Sequence, residues 1–569
     1  MKKQTKISGK GIWTLSLMMI FLGMTVAELG AQDIIHSGTK DMVVTSDHEN
    51  MYIVLQGGDG GKNSIGNGGR GATVTGWLNI GTGSGMIPPG STLRFIAGAA
   101  GESTEIRGSG GGGASGLVFK APGTSTWTTI AVAAGGGGAT IDLGGWNSSG
   151  EDGGPGKTSI NNMEKTPSYL PWGLQGGGTH TSSDDPCGGQ AGMYNGSPEQ
   201  VAVGSGCSAK GGAGFGSGAS THDSDGNGKK YYGGGGGGHY GGYIGISGGN
   251  PVYDNGGGSW ANITYIAGAK AYSNGTTGSP QNGFAMYTYE EEIRFAYNTN
   301  KCLDDYKSGT DNGTNIQTYS CTDNINQMWL IHPTDRTIHS KLNYNKCLDL
   351  SNSNTSNGSN IQLYDCNGTE AQNWVYNGLY KTIHSSENFD KCLDAANGTA
   401  TSSNVNVQLW DCQYSNYNQK WLIEGASTVS NPANVRFIIP VYAPDFAVHS
   451  HTGAESGSNI QLWTKDDANT AEQWYFDGLA IKMRNNQNLC VDLSQSNTSN
   501  GNNIQLYNCN GSNAQKWIYD GMTKSIRSVV NPDKCMQIEK NTDGVYGKRS
   551  NVNIYDCNSS AAQQFLIQE

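Results

Sequence analysis

The chain has 569 residues, 87 of them glycine, and a formal charge of −11 at neutral pH. That length is too great for one core and predicts several domains. Its Arg and Lys are scattered through an acidic background, which excludes a nucleic-acid patch or attraction to anionic membrane.

Residues 1–31 read as a secretory signal peptide. Lys2, Lys3, Lys6 and Lys10 precede an apolar run from Ile12 to Ala27, and Leu29-Gly30-Ala31 offers a small-residue cleavage site. The run is short for a membrane span, and no later stretch is apolar enough to cross one. Four lysines and Glu28 lie in this leader, so the chain without it carries −14. The expected location is extracellular.

Residues 32–289 hold 68 of the glycines, against 15 after residue 289. A disordered glycine linker is one reading of such a composition. Against it stand apolar runs at Met51–Leu55, Ala72–Ile80, Thr92–Ile96, Gly116–Phe119, Thr128–Ala133, Ala261–Ala267 and Phe284–Tyr289. They alternate or are rich in β-branched and aromatic residues, and turn residues such as Pro88-Pro89-Gly90 separate them, as strands require. The glycine blocks at 110–113, 135–138, 176–178, 233–238 and 256–258 then need a role. Chains without Cβ can pack backbone against backbone and hydrogen-bond between neighbours, so glycine would itself be the packing surface. Pro89-Gly90-Ser91-Thr92-Leu93, Ala131-Val132-Ala133-Ala134 followed by four glycines, and Gly233–Gly238 before His239-Tyr240-Gly241-Gly242 carry a resemblance. This half resembles the glycine-rich extracellular domain of anaplastic lymphoma kinase and leukocyte tyrosine kinase receptors. The resemblance implies an ordered β domain and leaves a protein partner open, but no residue here takes a ligand-binding role from it.

Glycine density also makes false motifs. Gly245-Ile246-Ser247-Gly248-Gly249 fits a nucleophile elbow without strand-to-helix context. Gly108–Gly113 fits a dinucleotide pattern without a following helix, and Gly150–Gly156 before Lys157-Thr158 is one residue too long for a phosphate loop.

From residue 290 a unit recurs six times, starting at Ile293, Ile338, Ile383, Val435, Ile481 and Ile526. Its clearest copy runs Lys346-Cys347-Leu348-Asp349, then Asn360-Ile361-Gln362-Leu363-Tyr364 and Cys366, then Gln372 and Trp374. The longest spacing falls between copies three and four, so two triplets, 290–424 and 433–569, are expected. Five copies carry two cysteines at matching places: Cys302 and Cys321, Cys347 and Cys366, Cys392 and Cys412, Cys490 and Cys509, Cys535 and Cys557. The fourth copy has lost both, as expected for bonded pairs. Loops of this size are worth about 3 kcal/mol each as disulfides, and such stapling suits an oxidising compartment. Cys187 and Cys207 remain as a sixth pair. No Cys-x-x-Cys occurs, so no zinc site or other metal is expected.

A unit of this size cannot cover its own apolar face and must stack on its neighbours. The Gln-x-Trp endings with Leu-Asp and Gln-Leu-Trp steps resemble the ricin B-chain lectin family, which implies two tandem β-trefoils after the glycine-rich β domain and an all-β chain. The resemblance assigns saccharide contacts to the Asp of the Cys-Leu-Asp step, the Gln and aromatic of the Gln-x-aromatic step, and the Asn-Gln pair before x-Trp. The chemistry suits that mixture. A carboxylate accepts hydroxyl hydrogen bonds, an amide donates and accepts, and a flat ring covers the C–H face of a pyranose. Copies one (Asp304, Gln317, Tyr319, Asn326, Gln327) and three (Asp394, Gln408, Trp410, Asn418, Gln419) are complete. Copies two (Asp349, Gln362, Tyr364, Gln372) and five (Asp492, Gln505, Tyr507, Gln515) have Ala371 and Ala514 in place of the Asn. Copy four, aligned with Val448 at the Asp position and with Ala471 and Glu472, and copy six, with Gln537, Asn553 and Ala562, are expected to be structural.

The expected protein is therefore a multivalent binder of galactose, N-acetylgalactosamine or xylan-like glycans, without enzymatic activity, cofactor or calcium site. Two alternatives stay open. One is a glycan-degrading enzyme, although the acids before residue 289 (Asp142, Glu151, Asp152, Asp184, Asp185, Glu199) form no paired pattern. The other is an adhesive protein whose glycine-rich half binds a protein.

Overall fold

The computed structural model describes residues 32–142 and 259–569, except 36–37, 47, 106–108, 273–274, 278–279, 333–334, 397–403, 430–434, 451–453, 542–544 and 559, with scattered segments between 149 and 257. The expected leader, Cys187, Cys207, Asp152, Asp184, Asp185 and Glu199 lie outside the described residues. The described chain is all-β: its elements are strands and single 3-10 turns.

In the first half two antiparallel five-stranded sheets face each other. One is ordered Gln32–Ile35, Phe284–Thr288, Asn50–Gln56, Thr73–Asn79, Ile266–Tyr272; the other Trp260–Ala261, Trp127–Ala133, Ser115–Lys120, Thr92–Ala97, Gly38–Val43. Met51, Ile53, Leu55, Leu93, Phe95, Leu117, Ile130 and Tyr287 share one buried cluster, as strands with one inward face require. Six of the seven expected strands are present. The seventh, Ala261–Ala267, is broken: the Asn262 carbonyl accepts from the Ile266 N–H at 3.1 Å and ends one strand before the next begins. Gly38–Val43 was not legible as a strand, because it is an edge with a single buried residue, Met42. Gly245–Ser247 forms a two-stranded hairpin with Asn250–Val252 rather than a nucleophile elbow.

Beyond the strand ends, glycine segments lie backbone on backbone as expected. Gly58 N–H donates to the Gly113 carbonyl, Gly136 to Gly58, Gly112 to Gly136, Gly135 to Gly237 and Gly237 to Gly112, at 2.7–3.0 Å. A Cβ on Gly112 would overlap the Gly58 carbonyl, and one on Gly135 the Gly112 carbonyl. Buried Asp59 ties this bundle to its surroundings by accepting the N–H groups of Gly71 at 2.9 Å and Gln281 at 3.1 Å.

The six repeats form two groups of three hairpins. In the first group Lys301–Asp305 pairs with Thr314–Ser320, Asn343–Leu350 with Ser359–Asp365, and Lys391–Ala395 with Val405–Asp411. Trp421–Ile423 then returns to pair with Glu291–Phe295 and closes the barrel. In the second group Phe446–Ser450 pairs with Ile460–Thr464, Asn486–Leu493 with Ile504–Asn508, and Lys534–Ile538 with Val552–Asp556. Phe565–Gln568 closes onto Arg436–Pro440. Each group is a β-trefoil. Trp329, Trp374 and Trp421 fill the first core, and Trp474, Trp517 and Phe565 the second. Each of the five indoles donates to a strand carbonyl: those of Leu303, Leu348, Leu393, Val448 and Val491. The Asn of the Asn-Ile-Gln step links the three copies of each trefoil. Asn315 donates to Asn406 at 2.8 Å and Asn406 to Asn360 at 3.0 Å, while Asn459 donates to Asn551 at 2.9 Å and Asn551 to Asn503 at 3.1 Å. The five expected disulfides of the repeats are formed.

Equivalent turns join the trefoils. Gly378 N–H donates to the Tyr519 carbonyl and Gly521 N–H to the Tyr376 carbonyl, both at 2.9 Å. Leu379 and Tyr380 enter the second core, and Met522 packs on the first. At the other end, Trp77 stacks on Tyr344 at 4.2 Å and Tyr52 meets His332 edge-on at 5.5 Å, joining the glycine-rich half to the first trefoil.

Two buried acids near this junction give a pH prediction. Glu291 is pushed up to about 8 by burial and then by the charges of Glu424, Glu290 and Glu292. Fully buried Asp305 is also pushed up to about 8 by burial, against the Ser340 hydroxyl bond. Both folded-state values exceed the ordinary ones, so the bound protons contribute stability that is complete in acid and is lost as pH rises through about 8. Thermal melts between pH 5 and pH 9 are expected to show Tm falling with pH, with a shallower slope in Asp305→Asn. An unchanged slope in that variant would refute the assignment.

Candidate functional site

Four aspartates occupy one structural position. Asp304, Asp349, Asp394 and Asp492 each lie across a hairpin from a glutamine: Gln317, Gln362, Gln408 and Gln505. They are only 3–6% exposed, at the floor of the hairpin's outer face. Two residues further along each glutamine strand, and so on the same face, stands an aromatic ring. Tyr319, Tyr364 and Tyr507 are 38%, 39% and 43% exposed, and Trp410 is half-buried.

The hydrogen bonds show how the floor is built. The cross-strand glutamine donates to one carboxylate oxygen of its aspartate at 2.8 Å in copy one, 2.9 Å in copy two, 3.0 Å in copy three and 3.3 Å in copy five. The glutamine of Gln-x-Trp donates to the other oxygen at 2.8, 3.0, 3.2 and 3.1 Å. In copy one Asn326 adds a third bond to Asp304, at 2.7 Å. A carboxylate offers about four acceptor positions, so each floor keeps acceptor capacity. Burial raises the pKa of all four aspartates, partly offset by the amide bonds.

Three sequence assignments change. First, Gln327, Gln372, Gln419 and Gln515 are at most 1% exposed. Each also donates to a backbone carbonyl (Ser320, Asp365, Asp411, Asn508) and accepts a backbone N–H (Thr322, Asn367, Gln413, Asn510). With both ends occupied they position the aspartate and are not themselves placed to contact a sugar. Second, Asn418 in copy three holds its turn by donating its backbone N–H to Asn416 Oδ1 at 3.0 Å, whereas Asn326 reaches the carboxylate, so the two copies read as complete differ. Third, the residue of copy four at the Asp position is His449, not Val448. His449 lies across from Gln461, and the Val448 carbonyl takes the Trp474 indole bond that Leu303 takes in copy one.

Copy four is also filled. His449 stacks on Trp463 at 5.5 Å, and the Lys548 ammonium sits 3.9 Å from the centre of that ring. Copy six has an amide instead of a carboxylate: Gln537 accepts from Gln563 at 2.9 Å. His339 and His384 each approach a cysteine sulfur at 3.4 Å, that of Cys366 and Cys412, but those sulfurs are bonded to Cys347 and Cys392 and offer no thiolate to a metal.

The model of the ricin-type β-trefoil lectin domain family matches residues 289–421, 380–501 and 436–565. The middle match straddles both trefoils, because the repeat continues across the boundary that strand closure defines. No curated protein matches the sequence. Among solved structures, an agglutinin from Abrus precatorius is similar at 21% identity over 49% of this chain and 97% of its own, with a TM-score of 0.22. A non-toxic homologue of type II ribosome-inactivating proteins from Momordica charantia, in complex with α-methyl-D-galactoside, is similar at 22% identity over the same shares, with a TM-score of 0.22. The C-half of an earthworm R-type lectin in complex with GalNAc is similar at 25% identity over 24% of this chain and 97% of its own, with a TM-score of 0.20. Residues 289–565 of this chain thus consist of ricin-type β-trefoil lectin domains.

Proposed function

We propose that this chain is a secreted, multivalent carbohydrate-binding protein that takes galactose, N-acetylgalactosamine or xylan-like glycans at copies one, two, three and five. One observation carries the reading: four outer-face pockets in which a buried carboxylate with spare acceptor capacity lies on the same face as an accessible ring. Each pocket is shallow and binds weakly alone, so engagement of a polymer at two pockets raises avidity by roughly 10²–10⁴. The contacts between Gly378 and Tyr519 and between Gly521 and Tyr376 support a fixed spacing between pockets on the two trefoils. Five disulfides in the repeats favour an oxidising, extracellular setting.

The working units are residues 32–289, 290–424 and 433–569. The first is read as a relative of the glycine-rich domain of anaplastic lymphoma kinase-type receptors. Its interlocked glycine backbones favour that reading over a flexible linker.

A glycan array with the full chain beside Asp304→Asn/Asp394→Asn tests the function. Specific spots that fade in the double variant are expected; an empty array, or spots untouched by the variant, would refute it. Acid gives a second test. Because burial holds these carboxyls above their ordinary value of 3.8, glycan affinity is expected to decline on acidification earlier than for an exposed carboxylate. Affinity that stays constant down to pH 4 would contradict the role of the aspartates.

A further inference from the structure

Two exposed aromatic rings, one from copy three and one from the start of copy one, meet beside the turn of the third copy and no pocket role yet uses them. Tyr297 and Tyr417 are each 63% exposed, and their ring centroids lie 4.9 Å apart at an interplanar angle of 38°. They come from opposite ends of the first trefoil. Tyr417 opens the 3-10 turn Tyr417–Gln419, whose last residue bonds Asp394 at 3.2 Å. Tyr297 arrives through barrel closure, where Phe295 pairs with Trp421 and Ala296 N–H donates to the Lys420 carbonyl at 2.8 Å.

The same backbone bond recurs beside every copy, for example Lys341 to Met328, Ser386 to Asn373 and Val529 to Lys516. It brings together the residue after the donor and the residue that opens the turn. Copy four shows that these two positions meet, since Asn485 donates to the Thr470 hydroxyl at 2.5 Å. The pair differs among the pockets: Ile325 with Leu342 beside copy one, Glu370 with Glu387 beside copy two, Asn513 with Val530 beside copy five. Only beside copy three does it supply two aromatic rings.

The geometry points to an extended subsite: the Tyr297–Tyr417 shelf receives the second sugar ring of an oligosaccharide whose first ring occupies the Asp394 and Trp410 pocket. This rests on the carbohydrate-binding reading above and adds a preference of copy three for oligosaccharides over monosaccharides. Large, partly rigid rings left in water at the mouth of a polar pocket lower the free energy of a bound pyranose by covering its C–H face. Leu342 with Ile325 gives apolar cover without a flat face, and Glu387 with Glu370 gives carboxylates without a flat face. Only copy three, then, is built to read a second ring by stacking.

The test uses the full chain carrying Asp304→Asn, Asp349→Asn and Asp492→Asn, which leaves copy three as the one intact pocket. Calorimetric titrations compare galactose with a galactose trisaccharide, N-acetylgalactosamine with an N-acetylgalactosamine trisaccharide, and xylose with xylotriose. For the monomer that binds, its trisaccharide is expected to bind about five- to tenfold tighter, the range for one stacked ring. Tyr297→Ala/Tyr417→Ala should remove that advantage while the monosaccharide Kd stays within about twofold, and Tyr297→Phe/Tyr417→Phe should restore it. A trisaccharide that binds no tighter than its monomer, or an advantage that survives the double alanine variant, would overturn the subsite and leave the pocket standing. Absence of binding by all six sugars would overturn the pocket and the subsite together.

Discussion

Replacing Asp304, Asp349, Asp394 and Asp492 together by asparagine is expected to abolish binding to polyvalent glycan while leaving the chain folded. Each carboxylate now receives two or three amide N–H groups and presents its remaining lone pairs outward. An asparagine must turn its own NH2 toward one of those donors, so one glutamine loses its acceptor and the pocket loses its charge. A broken charge-assisted hydrogen bond costs about 1.5–3 kcal/mol, enough to weaken each pocket by tenfold or more. Losing several pockets also removes the roughly 10²–10⁴ avidity gain. The core tryptophans do not touch the exchanged atoms, since their indoles bond the carbonyl of the preceding residue. Near-ultraviolet circular dichroism should therefore stay unchanged while glycan retention on a polysaccharide column disappears. Retention equal to wild type would remove the aspartates from the site.

A second large effect is expected in the glycine-rich half. Gly112→Ala or Gly135→Ala places a methyl group inside a neighbouring carbonyl, and the neighbour is backbone that cannot rotate away. The loss should exceed about 4 kcal/mol, in the rare class of point changes that unfold a domain. Gly123→Ala is the control. It has open space around its would-be Cβ and a φ of +73°, so its cost is the backbone conformation alone, about 1 kcal/mol. Limited proteolysis should cut the first two variants within residues 50–289 and leave the control and both trefoils intact. Equal resistance in all three would show that the bundle is not held by glycine contacts.

The repeat was legible because it places chemistry and core in one short unit. Leu-Asp alternates a core residue with an outer-face residue, the period implied that copies stack, and the resemblance to the ricin B-chain lectin family supplied the trefoils and the four aspartates. The glutamine of Gln-x-Trp was misread because its burial depends on the turn folding back over the Asp hairpin, which spacing does not reveal. Register failed in copy four for a physical reason. With both cysteines gone, Ala447-Val448-His449 has no anchor in the sequence, and only the pairing of His449 with Gln461 fixes it. The Tyr297–Tyr417 pair was hidden because its members lie at opposite ends of the first trefoil and meet through strand closure. Glycine as a packing surface was legible from composition, whereas the edge strand Gly38–Val43, which buries one residue, had no alternation to show.

The most direct measurement is a crystal structure of the full chain grown with the best glycan from the array. The expected result is a pyranose on the outer face of the Lys391–Asp411 hairpin, its hydroxyls bonded to Asp394 and its C–H face on Trp410. A sugar bound elsewhere, with the Asp394 carboxylate contacted by Gln408 and Gln419 alone, would contradict the account.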